Sequence, residues 1–135
     1  MTAAAGWRKT CTRFVASATV VAAVFVAACR EASGNEGALV VAGGNADRGK
    51  TEIAAYGCGS CHTIPGIRTA KGTVGPPLFF WSKRTYIAGQ VPNKPEFLIR
   101  WLEAPQTIEP GTAMPNLGVT EAAARDIAAY LYTLR

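Results

Sequence analysis

The sequence predicts a small all-α domain whose helices and loops wrap around something other than a protein core. Three observations lead there. Apolar residues recur at helical spacing near the C-terminus, at Phe97, Leu98, Trp101 and Leu102 and again at Ala124, Ile127, Ala128, Leu131 and Leu134. Upstream of both runs, residues 63–95 form a long irregular segment rich in Pro and Gly, and a loop of that length in a compact domain needs a reason. Directly before that loop stands Gly57-Cys58-Gly59-Ser60-Cys61-His62.

The 135 residues are enough for one domain. No internal repeat and no Gly-rich phosphate loop is present. The formal charge of +5 raises the question of a nucleic-acid partner. Three of the basic residues, Arg8, Lys9 and Arg13, belong to what reads as a leader; without residues 1–28 there are 11 basic and 9 acidic residues, a net of +2. That balance gives little support to a polyanion partner, and no nucleic acid is expected.

In chain order, residues 1–13 carry positive charge only, and Phe14 to Ala28 is an uncharged run of 15 residues. A spanning helix needs roughly 20 apolar residues, so this run has the length of a signal-peptide core. It ends in Ala27-Ala28-Cys29, which resembles a bacterial lipobox. The expectation is a lipoprotein-type signal over 1–28, lipidation of Cys29 and an exported protein on the periplasmic side of a bacterial membrane. An ordinary cleaved signal and an uncleaved anchor are the alternatives. Two acyl chains would anchor stably, where one binds only marginally.

Residues 29–46 read as a flexible tether dominated by Gly, Asn, Ser and Ala; the seventeen residues 30–46 span roughly 20–25 Å. Leu39, Val40 and Val41 could instead pack onto the domain, which is placed at 47–135. Asn45 or Asp47 can cap a first helix, with Ile53 and Tyr56 near one face. Gly49 is costly inside a helix and useful where another helix must come close. In the irregular segment, Leu78, Phe79, Phe80 and Trp81 are an apolar set expected to be buried. Asn93 can cap the next helix, with Pro95 in its first turn, and that helix must stop before Pro105. Thr120 can cap the last helix, with Glu121 near its positive end.

Cys-x-x-Cys-His is the attachment pattern of c-type haem. Two thiols at this spacing can each add to one vinyl group of the same haem, and the adjacent His62 can supply the proximal imidazole. A structural zinc site would need a fourth ligand, and the only other cysteines, Cys11 and Cys29, lie in or beside the leader. A thioredoxin-like pair would need strand patterns that are not present. Met114 is the only methionine after the initiator and His62 the only histidine. Met114, between Pro110-Gly111-Thr112 and Pro115, is therefore the one soft sixth ligand available; His/Met ligation raises the reduction potential. Thr63 to Arg100 holds six basic residues and one acid. This reads either as a solvated loop surface or as a positive face that steers an acidic redox partner.

These motifs resemble a class I, mitochondrial-type mono-haem cytochrome c over residues 46–135. The resemblance rests on Cys58-x-x-Cys61-His62, Gly75-Pro76-x-Leu78, Arg84, Leu98-x-x-Trp101-Leu102-x-x-Pro105 and Pro110-Gly111-Thr112-x-Met114. It implies a class I cytochrome c fold around one covalent haem. It implies that the Pro76 carbonyl accepts from the haem histidine, that Arg84 and Thr112 contact a haem propionate, and that Trp101 lies near the methionine side. The short central loop, Pro77 and Trp81 depart from the family pattern. Within the family the chain is similar to small bacterial c domains associated with haem–copper terminal oxidases. The function expected is single-electron carriage with no substrate transformed, from a quinol-oxidising complex to a terminal oxidase or reductase. The alternatives are a fixed electron-entry subunit of an oxidase or dehydrogenase and, less in keeping with Met114, a haem peroxidase or gas sensor.

Overall fold

A computed structural model describes residues 39–135. The leader, Cys29 and the first part of the expected tether lie outside the described residues.

Among the described residues there are three α-helices. Helix α1 is Ala46–Ala55, α2 is Pro95–Glu103 and α3 is Glu121–Thr133. Asn45 starts α1: its backbone is extended and its side chain accepts the Arg48 N–H at 2.9 Å. Thr120 does the same for α3, accepting from Ala123 N at 3.3 Å. Helix α2 ends at Glu103, ahead of Pro105, as its sequence requires.

The long middle segment is not wholly irregular. A single 3₁₀ turn, Trp81–Lys83, is followed by a hairpin of two very short antiparallel strands, β1 (Tyr86–Ile87) and β2 (Val91–Pro92), with Ile87 opposite Val91. Its tip is Ala88-Gly89, both with positive φ. Thr63 and Lys71 form a further isolated antiparallel bridge.

Helix α3 is the centre of the packing. Ala123, Ala124, Ile127, Ala128, Tyr130, Leu131 and Tyr132 are all buried, a wider face than the expected stripe, which lacked the tyrosines. Helix α1 crosses α3 at Gly49, where an added Cβ would collide with the backbone at Asp126. The same crossing carries an ion pair. Arg48 Nε and Nη2 donate to the Asp126 carboxylate at 2.7 and 2.8 Å, and the Asn45 N–H donates to it at 2.7 Å.

Three placements differ from expectation. Asn93 does not cap α2; Lys94 occupies that position without a side-chain cap. Asn93 is buried, its Nδ2 donating to the carbonyls of Trp81 and Arg84 while its Oδ1 accepts from Tyr132 at 3.0 Å. It pins the middle segment to the last helix, which satisfies more buried polar groups than a cap would. Second, Phe79 and Phe80 are exposed while Leu78 and Trp81 are buried. Phe80 has φ 53°, and this left-handed turn sends Trp81 inward in its place. Third, residues 41–46 belong with the domain: Val41 is buried, and Arg125 donates to the Ala42 carbonyl at 3.1 Å.

Candidate functional site

A cavity of about 550 Å³ is bordered by all three helices and by the loops between them. Ile53 of α1, Leu98 and Leu102 of α2, and Ile127 and Leu131 of α3 line its floor. Every one of Cys58, Cys61, His62, Pro76, Arg84, Trp101, Thr112 and Met114 reaches it. The residues singled out from sequence are thus brought together.

Local structure places the attachment segment. Helix α1 ends at Ala55, and Gly57, at φ 68°, turns the chain into a 3₁₀ turn over Cys58–Ser60. Such a left-handed position favours Gly. Gly59 packs on Ala70 at 2.7 Å from its virtual Cβ, and the Gly72 N–H donates to the Gly59 carbonyl. Neither Cys58 nor Cys61 is in a disulfide. Burial pushes the Cys58 thiol up from its usual range.

His62 is held on both sides. Its Nδ1 lies 2.7 Å from the Pro76 carbonyl. A carbonyl only accepts, so Nδ1 carries a proton, and in the neutral ring Nε2 is the nitrogen with the free lone pair. Gly75 lies flat against the imidazole: a Cβ there would collide with the ring, 2.7 Å from Nδ1. Both features restrict the ring to one plane and one tautomer.

On the other loop, Met114 takes its place from its neighbours. Its N–H donates to Thr112 Oγ1 at 3.2 Å and its carbonyl accepts from Gln106 Nε2 at 2.8 Å. Trp101 is buried on α2. Arg84 donates to the carbonyls of Pro77 and Phe79, and its guanidinium stacks 5.0 Å above the Trp81 ring. Burial lowers its pKa from the usual value, and among the described residues it forms no ion pair. It is a cation at the cavity wall suited to an anion. Of the six basic residues between Thr63 and Arg100, Arg84 is the one that lines the cavity. The other charged group there is Glu109.

Sequence reasoning missed part of the wall. Tyr86, Ala88, Val74 and Leu117 all line it. The first two sit on the hairpin, whose two-residue strands and Ala88-Gly89 turn carry no clear sequence signal.

The donor set fits a covalently held haem. Two unbonded thiols, an oriented imidazole, a thioether and a guanidinium surround an apolar cavity. Among the described residues no group of three or more His, Cys, Asp or Glu could hold a metal ion by itself, so a zinc cage gains no support. No helix there is long and apolar enough to cross a membrane.

The family model for cytochrome c matches residues 46–135. Among curated proteins, cytochrome c oxidase subunit 2 of Alkalihalophilus pseudofirmus is 31% identical over 91 residues, which make up 67% of this chain and 26% of that protein. The chain thus spans about a quarter of the length of that relative. No solved structure matches. The fold, the clustered motifs and the family match place the chain in the cytochrome c family, as a class I member.

Proposed function

We propose that the protein carries single electrons through one haem c, attached at Cys58 and Cys61 and ligated by His62 and Met114. The observation that carries this reading is that His62 and Met114 line one cavity together with both thiols. Haem bound there supplies an iron that takes up and returns one electron. Everything else falls to the chain. His62, its Nδ1 proton held by Pro76 O, would offer the Nε2 lone pair to the iron, and the bond to the carbonyl makes the ring more basic. Met114 would hold the iron through its thioether, a ligand that paired with imidazole favours the reduced state. Arg84 and Thr112 offer donors to a propionate, and the apolar wall with Trp101 keeps water away. No substrate is chemically transformed.

Delivery to a terminal oxidase is supported by the similarity to an oxidase subunit 2. That same similarity favours a second reading, a fixed electron-entry subunit of an oxidase. Arrival from a quinol-oxidising complex, export to the periplasmic side and anchoring through lipidated Cys29 complete the proposal. Export and anchoring are supported by the uncharged run from Phe14 and the Ala27-Ala28-Cys29 sequence, whereas the quinol-oxidising donor is implied by the cytochrome c family alone. The basic stretch between Thr63 and Arg100 then meets an acidic partner.

A reduced-minus-oxidised visible spectrum, with and without CO, tests the ligation. The expected result is a c-type haem spectrum that CO leaves unchanged, and a Met114→Ala variant that binds CO and has a lower potential. Rapid CO binding by the wild type would hand the protein to the enzyme or sensor class.

A further inference from the structure

The β1–β2 hairpin and the Met114 loop are two walls of the same cavity. Tyr86 and Ala88 come from the hairpin, and Glu109, Thr112 and Met114 from the loop. A side-chain bond joins them: Gln90 Nε2 donates to Glu109 Oε2 at 2.5 Å. The other carboxylate oxygen, Oε1, accepts from Gly111 N at 3.2 Å, and the Glu109 carbonyl accepts from Thr112 N at 3.0 Å. Thr112 Oγ1 in turn accepts the Met114 N–H. Hydrogen bonds therefore run without a break from the hairpin tip to the backbone of Met114.

The hairpin end of this chain is strained. Ala88 and Gly89 have φ of 51° and 73°, and Gln90 N closes the turn on the Ile87 carbonyl at 2.9 Å. A turn with two left-handed residues suits Gly or Asn at both positions. Alanine there is held against its preference. The turn delivers Gln90 to Glu109 across the edge of the cavity.

We propose that Gln90 and Glu109 are positioning residues that latch the Met114 loop across the cavity, and that release of this latch sets how fast Met114 gives way to an external ligand. The proposal rests on the reading of Met114 as the sixth ligand. A latch acts through the loop and not on the iron. It changes the rate of ligand access and leaves the closed state as it was.

The test is imidazole binding to the oxidised, haem-loaded protein by stopped flow, where the rate at saturating imidazole is the loop-opening rate. Gln90→Ala is expected to raise that plateau by about tenfold, as loss of one hydrogen bond to a charged acceptor does. The sulfur-to-iron absorption and the reduction potential without imidazole stay at their wild-type values. Gln90→Lys keeps an N–H donor opposite Glu109 and is expected to hold the wild-type rate. Gln90 is exposed, so neither change disturbs the core. A Gln90→Ala plateau within about twofold of wild type, with Met114→Ala binding imidazole freely, overturns the latch and keeps Met114 as ligand. If Met114→Ala binds imidazole no faster than wild type, Met114 is not the ligand and the latch falls with it.

Discussion

Trp81 shows how much a single side chain can be asked to do in this cavity wall. Its ring is buried and carries the Arg84 guanidinium on its face, yet among the described residues its Nε1–H has no hydrogen-bond partner. That atom is buried. An unpaired buried donor costs about 1–3 kcal/mol. Trp81→Phe removes the donor and some volume together, and the two effects oppose each other. The expected outcome is a stability within about 1 kcal/mol of wild type by denaturant titration; a loss well beyond that would mean the indole N–H finds a partner in solution. Trp81 also marks where residue-level reading from sequence stops. Cys58, Cys61, His62 and Met114 stood out by residue type and position in the sequence, and the structure brings the four to one cavity. The partners of Asn93 and Arg84 were not, because they are backbone carbonyls brought close by the fold.

At the scale of elements, the close approach of α1 and α3 depends on Gly49. A Cβ there meets the Asp126 carbonyl and the Ile127 nitrogen, which are rigid backbone atoms. Gly49→Ala gains helix propensity of up to about 1 kcal/mol. It also forces the two helices apart, and overpacking of that kind costs about 1–3 kcal/mol or more. Packing wins, so the variant is expected to be less stable by urea titration; a rise in midpoint would show that the crossing can yield. The helices themselves were legible through their 3.6-residue period and their caps at Asn45 and Thr120. The hairpin was not, because two-residue strands are too short to show an alternating pattern.

On the scale of the whole molecule, Asp126 ties stability to pH. The Arg48 guanidinium, helped by the Asn45 N–H, holds its carboxyl below the usual carboxylate range despite the opposing effect of burial. The unfolded carboxyl takes up a proton near pH 3.9. Its contribution is therefore fully present above that value and is lost as pH falls through the lower folded value. Denaturant midpoints are expected to change little through this group between about pH 5 and 7 and to decline below about pH 4. Asp126→Asn should be less stable at neutral pH and should flatten that acid limb. An unchanged acid limb in the variant would assign the effect to other carboxylates. Arg48 is 62% exposed at its side chain, so high salt weakens the effect without abolishing it.

The Asp126 contact also has a consequence for the order in which the molecule comes into being. Its partners lie 78 and 81 residues away along the chain, and α1, at ten residues, is too short to hold its shape alone in water. The opening helix must wait for the closing one. A chain delivered from its N-terminus stays slack until its last residues arrive, and through that interval the Cys58–His62 segment lies open to whatever machinery joins haem to it.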